Sequence, residues 1–155
     1  MTRFAVFVST FGYVGFFPVA PGTIGSLAGL LVYAAIARLG GGPVADAVTI
    51  VILFAAGVWA GTIAERHFGG IDPGPVVIDE VIGMMITLFL VPVGVAGAVA
   101  GFVLFRISDI VKPFPSARLE GLHGGWGVMA DDAMAAIYAN LALRLLGWIA
   151  PRWIV

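Results

Sequence analysis

Charged positions divide this chain into long apolar blocks. From Phe4 to Ala37 no residue carries a formal charge, and the same holds from Ala47 to Ala64 and from Val81 to Phe105. A fourth apolar stretch, Ala133 to Ile149, is interrupted only by Arg144. None of these blocks alternates apolar and polar residues with the two-residue period of barrel strands. Within hydrocarbon a helix satisfies its own backbone groups, and a full span takes about 20 residues. The pattern predicts helices.

Glycine and proline set the expected boundaries. Gly12, Gly15, Pro18, Pro21, Gly22 and Gly25 interrupt the first block, so Thr10 to Thr23 reads as a loop. A helix is expected from Thr23 or Ile24 to about Ala37, with Thr23 and Ser26 suited to its N-terminal turn. Arg38 to Asp46 reads as a tight connection, and a second helix as Ala47 to about Ala64. The last is expected from about Asp131 to Ile149. The third block contains Pro92, Gly94, Gly97 and Gly101. It is either one kinked span or two half-helices meeting near Pro92. The first places its ends on opposite faces of a membrane, the second on the same face. The first dozen residues, with Arg3 ahead of an apolar stretch, also resemble a signal peptide. Pro18 to Gly22 makes a poor cleavage site, so an uncleaved N-terminus is expected. With no repeat, linker or low-complexity tract, residues 1–155 read as one domain of the all-α class.

Composition narrows this further. Hydrophobic residues make up 61% of the 155 residues and charged residues 11%, and mean hydropathy is +1.08. Soluble domains carry about 25% charge. The chain therefore reads as a small integral membrane helical bundle, and disorder is excluded. A net charge of −1 with eight basic residues argues against nucleic acid as a partner. The absence of cysteine removes disulfides, thiolate metal sites and cysteine nucleophiles.

The acids carry the chemical signal. All of the nine except Asp46 fall between Glu65 and Asp132: Glu65, Asp72, Asp79, Glu80, Asp109, Glu120, Asp131 and Asp132. Asp79-Glu80 and Asp131-Asp132 are pairs at the expected starts of apolar helices. Neighbours on a helix point about 100° apart, so one acid of each pair can face inward while the other serves the loop. Helix capping accounts for one acid per helix better than for two pairs at a membrane boundary. The competing reading is a hard-cation site, and carboxylates without cysteine suit magnesium or manganese rather than zinc. Arg106, Asp109 and Lys112 are spaced to lie along one side of a helical turn, which Pro113 and Pro115 then end. A guanidinium and an ammonium beside a multivalent metal suit a phosphate ester, and a snorkelling salt-bridge cluster is the alternative. Pro21-Gly22-Thr23 and Gly124-Gly125-Trp126-Gly127 could cradle phosphate through backbone N–H groups at helix starts. His67 and His123 are too few for a histidine metal site and read as structural or interfacial. Asn140 reads as interhelical glue.

Four segments together resemble the bacterial phosphatidylglycerophosphatase A family. They are Phe17-Pro-Val-Ala-Pro-Gly-Thr-Ile-Gly-Ser26, Val77-Ile-Asp-Glu-Val-Ile-Gly83, Phe105-Arg-Ile-Ser-Asp-Ile-Val-Lys-Pro-Phe-Pro115, and Gly124-Gly-Trp-Gly-Val-Met-Ala-Asp-Asp132 continuing to Ala139-Asn140. Their order and spacing fit from about Phe11 to Leu141. The resemblance implies a magnesium-dependent phosphatase of the bacterial cytoplasmic membrane, which converts phosphatidylglycerophosphate to phosphatidylglycerol and inorganic phosphate. By position, Asp79, Glu80, Asp131 and Asp132 match the family's acidic motifs, and Arg106, Asp109, Lys112 and Pro113 its arginine–aspartate–lysine–proline motif. Ser108 departs from the aromatic or large apolar residue usual before that aspartate. Glu65, Asp72 and His123 have no assigned place.

Metal-assisted phosphomonoester hydrolysis is the simplest expected mechanism. One or two magnesium ions would be held by Asp79, Glu80, Asp131 and Asp132, with Asp109 as a further ligand, an orienter of Arg106 or a base. A covalent aspartyl intermediate stays open. Arg106 and Lys112 would neutralise the phosphoryl oxygens, with Thr23, Ser26, Gly124 and Gly125 as further substrate-binding candidates. A headgroup substrate requires all motifs on one face, which favours the broken hairpin. Arg3, Arg66, Arg106, Lys112 and Arg118 on the motif side, against Arg38 and Arg152 opposite, make that face cytoplasmic in a multi-pass inner-membrane protein. The alternatives are a phosphatase for another lipid phosphate, such as phosphatidic acid, and a small cation channel or transporter. The last would want acids at mid-membrane depth rather than at helix ends.

Overall fold

The computed structural model describes residues 1–154, and among these every regular element is helical. In chain order they are α1 (Thr2–Ser9), α2 (Pro21–Arg38), α3 (Pro43–Phe68), α4 (Ile78–Leu88), α5 (Val95–Val111), α6 (Ser116–Leu119), α7 (Gly125–Ile149) and α8 (Pro151–Ile154). A single 3-10 turn at Val14–Phe16 lies within the loop expected between Thr10 and Thr23. The helix α1 was not foreseen from the pattern, and it packs along α3. Both α2 and α3 are long and apolar enough to cross a membrane.

Proline and glycine shift several boundaries from their expected places. Pro21 and Pro43 are the first helical residues of α2 and α3. There the missing N–H costs nothing and the fixed φ suits the helix. Helix α3 continues past Ala64 through Glu65, Arg66 and His67 to Phe68. Cations in a last turn suit the negative end of the helix.

The largest correction concerns α7, which begins at Gly125 rather than near Asp131. Its first glycines are helical because they permit close packing. A Cβ on Gly125 would collide with the Val58 carbonyl of α3, and one on Gly127 would lie 2.6 Å from the carbonyl oxygens of Glu120 and Leu122. Asp131 and Asp132 consequently occupy the second turn of α7, and no acid lies in its first.

The third block is a broken hairpin. Helix α4 stops at Leu88, the chain crosses Phe89–Gly94, and α5 returns. Glu80 at the start of α4 and Arg106 near the end of α5 approach to 3.9 Å, so both ends share one face. The break leaves α4 with carbonyls that have no helical partner. Asn140 of α7 donates its side-chain amide to the carbonyls of Ile86 (3.1 Å), Thr87 (2.9 Å) and Phe89 (3.0 Å). Arg144 donates to the Phe89 carbonyl at 3.0 Å and to Asn140 Oδ1 at 2.7 Å. Inside hydrocarbon each unsatisfied carbonyl costs several kcal/mol. Asn140 is glue, as its place in the sequence suggested.

Two apolar cores hold the helices together. One surrounds Met84, Leu88, Phe105 and Leu143, and the other Ile78, Ile82, Val128 and Met129. The outer faces of α2, α3, α5 and α7 are themselves apolar, with Leu31, Ile52, Val99 and Leu145 all exposed. Such continuous apolar surface suits lipid rather than water. Trp126 and Trp148 are exposed near opposite ends of α7. At about 1.5 Å per residue they lie about 33 Å apart, close to a hydrocarbon thickness of about 30 Å.

Candidate active site

The site forms where the starts of α2 and α4 meet α5 and the second turn of α7. The Val77 N–H donates to the Ser9 carbonyl at 3.0 Å, which ties the start of α4 to the end of α1. Asp79 and Glu80 follow in the first turn of α4. One carboxylate oxygen from each of Asp79, Glu80 and Asp132 lies within 4.8 Å of the others. Asp79 is 5% exposed and Asp132 4%. Asp79 Oδ1, Glu80 Oε2 and Asp132 Oδ2 are buried without a hydrogen-bond partner.

The two acid pairs divide differently. On α7 the expected split holds: Asp132 turns to the α4 acids while Asp131 turns to Lys112, with Asp131 Oδ2 2.7 Å from Lys112 Nζ. On α4 both acids join the same cluster. Helix α4 is packed against α2, α3, α5 and α7, so two directions about 100° apart both point inward. Capping can still apply to Asp79 and Glu80 in a first turn, but not to the α7 pair.

The cations stand beside this cluster. Arg106 Nη1 is 2.7 Å from Asp109 Oδ2, one helical turn onward, and donates to Ser26 Oγ at 3.4 Å. Ser26 Oγ in turn donates to the Gly22 carbonyl at 2.9 Å. Gly22 lies directly against the site: a Cβ there would displace the Glu80 carboxylate and lie 3.2 Å from the Arg106 guanidinium. Lys112 does not continue the Arg106–Asp109 line. Helix α5 ends at Val111, and Lys112 takes a left-handed conformation, φ 46° and ψ 63°. Its ammonium thereby reaches Asp131 and also Glu120 Oε1 at 3.1 Å.

The remaining candidates are placed as follows. Thr23 is half-buried in the first turn of α2, and its N–H is taken by the Ala20 carbonyl. The Gly125 N–H donates to Thr62 Oγ1 at 2.9 Å. Of the phosphate cradle expected at Gly124 and Gly125, the Gly125 amide is thus engaged within the protein, and both glycines pack against α3. The His67 ring lies against Phe68, away from the acids. Two residues left without a role by the sequence belong to the neighbourhood. Glu120 contacts Lys112, and Asp72, in the loop before α4, lies close enough to feel Asp131, Lys112 and Glu120. Burial and then the negative charge of Asp131 push the Asp72 carboxyl up to about 6. Only the return of the chain after Pro113 and Pro115, toward α7, hinted at Glu120.

The donor set fits a hard divalent cation. Three buried carboxylates at this spacing repel one another strongly in a medium of low dielectric. The Arg106 guanidinium reaches only Glu80, and at 3.9 Å. Oxygen donors without thiolate or imidazole are what magnesium or manganese selects.

Comparison with known proteins agrees with this chemistry. The family profile described as "Phosphatidylglycerophosphatase A" matches residues 7–147. A Bacteroides thetaiotaomicron protein named "Putative phosphatidylinositol-3-phosphatase" is 38% identical over 141 residues, covering 87% of this chain and 88% of its own. The proteins of Haemophilus influenzae and Escherichia coli named "Phosphatidylglycerophosphatase A" are 38% and 36% identical, covering 80% and 86% of this chain and 77% of each relative. No solved structure matches. The four motif segments, the helical architecture and these relatives agree: the chain belongs to the phosphatidylglycerophosphatase A family and is a membrane-associated enzyme of that lipid phosphomonoesterase class.

Proposed function

We propose that this protein hydrolyses phosphatidylglycerophosphate to phosphatidylglycerol and inorganic phosphate at a magnesium site made by Asp79, Glu80 and Asp132. The observation that carries this reading is the set of three buried carboxylate oxygens without partners, flanked by Arg106 and Lys112. When bound, magnesium supplies a Lewis acid for a phosphoryl oxygen and lowers the pKa of a bound water. Arg106 and Lys112 bind the remaining phosphoryl oxygens and offset charge that builds in the transition state. Asp109 holds Arg106 and Asp131 holds Lys112, so the five acids of the motifs divide into three that face the cation and two that aim the bases. Each aiming contact is an ion pair at 2.7 Å, and the one between Lys112 and Asp131 is also a charge-assisted hydrogen bond.

The topology follows from the same arrangement. Arg3, Arg66, Arg106, Lys112 and Arg118 lie toward the site end, and Arg38, Arg144 and Arg152 toward the other. By the positive-inside rule this excess supports a site at the cytoplasmic face of a multi-pass inner-membrane protein. Membership in a phosphatase family favours this reading over a cation path.

A second reading has one specific support: the Bacteroides relative is named for a different lipid phosphate, a phosphoinositide. The discriminating experiment is phosphate release in detergent micelles from phosphatidylglycerophosphate, phosphatidic acid and phosphatidylinositol 3-phosphate, with magnesium and with chelator. Magnesium-dependent release chiefly from the first, abolished in a folded Asp132→Asn variant, is the expected result. Preference for another substrate moves the reading to that lipid. Undiminished activity of Asp132→Asn removes the three-carboxylate site.

A further inference from the structure

We propose that Glu120 is a positioning residue that aims the Lys112 ammonium, an inference that rests on the phosphatase reading above. Lys112 is unusual among the site residues because it stands outside its helix. Its left-handed backbone conformation and the following Pro113 carry the side chain away from the Arg106–Asp109 face. A lysine chain has four carbons of rotational freedom, and an ammonium has no directional plane of its own. Something else must fix where it points.

Two carboxylates do so. Nζ lies 2.7 Å from Asp131 Oδ2 and 3.1 Å from Glu120 Oε1. With a hydrogen bond to Asp131 on one side and an ion pair to Glu120 on the other, the ammonium is held in place and its remaining donor capacity serves the phosphoryl oxygen. Asp131 alone would leave the ammonium free to turn about that single contact.

The two carboxylates are themselves fixed by different means. Asp131 is 3% exposed, and its Oδ1 accepts from the Asp132 N–H at 2.9 Å. Glu120 is more open, yet its backbone is held. Its N–H donates to the Ser116 carbonyl at 3.2 Å, and Ser116 is fully buried. Its own carbonyl rests on Gly127 of α7, where a Cβ would come within 2.6 Å. The helix–loop unit from Ser116 to Leu122 therefore brings a second carboxylate to the lysine.

The expected behaviour is specific. Glu120→Ala leaves Asp131 as the remaining anchor of Lys112 and lowers kcat by about tenfold, with KM changed by less than about threefold. Glu120→Gln keeps an acceptor oxygen of the same reach and restores kcat to within about threefold of wild type. Glu120→Asp falls short by one methylene and behaves like the alanine variant. The deciding measurement is kcat and KM for magnesium-dependent phosphate release in micelles, for these variants and for Glu120→Ala combined with Lys112→Ala. A residue acting through Lys112 adds no loss once Lys112 is gone, whereas a purely structural residue goes on lowering activity in that background. An alanine variant with wild-type kcat, a glutamine variant as impaired as alanine, or full additivity in the double variant each overturns the proposal. Wild-type activity in the same assay reports on the phosphatase reading separately. If wild type releases no phosphate, that reading fails first and the Glu120 assignment falls with it.

Discussion

Asp79-Glu80 and Asp131-Asp132 look alike in the sequence, each an acid pair ahead of an apolar stretch, yet they occupy different structural positions. The first pair opens a short helix enclosed on several sides, and both carboxylates turn into the three-carboxylate cluster. The second sits in the second turn of a long helix, and its members part: Asp132 to the cluster, Asp131 to Lys112. The difference shows that helical register and enclosure, rather than the pairing itself, decide which acids cluster together. Asp132 has a buried oxygen with no partner, while Asp131 has a cation at 2.7 Å.

Breaking this comparison at its strongest point gives the largest effect. Asp132→Asn should reduce kcat roughly a thousandfold, and Asp131→Asn about 10- to 100-fold, as removal of an orienting group does. Melting curves sharpen the contrast. Magnesium at about 100 times its Kd should stabilise wild type and Asp131→Asn by roughly 2.7 kcal/mol and leave Asp132→Asn unmoved. In chelator Asp132→Asn should melt above wild type, because it removes one of three buried acids whose ionisation is mutually opposed. Equal kcat losses and equal magnesium shifts in the two variants would refute the division of the pair.

A smaller effect tests the opposite end of the hairpin, where no cation is required. Asn140→Leu strips three donated hydrogen bonds from the carbonyls that end α4. A loss of about 1–3 kcal/mol in stability is expected, with magnesium binding retained. An unchanged melting temperature would mean that the break at Phe89 holds itself.

The smallest effect belongs to Asp72. Its carboxyl, raised to about 6 by burial and then by Asp131, favours the folded state while protonated. That contribution is complete below the ordinary aspartate value and is lost as pH rises through about 6. In metal-free detergent, wild type should lose on the order of 1 kcal/mol between pH 4 and pH 7 relative to Asp72→Asn. Parallel melting profiles for the two proteins across that range would exclude the coupling.

Much of the architecture was legible in the chain because hydrocarbon restricts the choices. Long blocks without charge can only be helices in that solvent, and Pro92 with Gly94 marks where one of them must stop. Preference for the hairpin over a single span followed from a chemical demand, that acids and bases meet on one face. Asp79, Glu80, Arg106, Asp109, Lys112, Asp131 and Asp132 were all visible as candidates for the same reason: charges are costly in such a chain and do not persist without partners.

The remaining features depended on contacts between distant segments. Glycine at 124–127 signals a loop when only local propensity is considered, but Val58, Thr62, Glu120 and Leu122 approach too closely for any side chain there, so the glycines start a helix. That added length places Asp131 and Asp132 below the helix end and sets which one meets Lys112. Asp72 and Glu120 carry no local pattern at all; packing across the chain brings them to the lysine. The sequence by itself determined the helices, the break and the inventory of acids and bases, because these follow from solvent and local chemistry. Only the tertiary structure decided which carboxylates gather together and which pair with Arg106 or Lys112, because that depends on helix rotation and on close approaches between residues far apart in the chain.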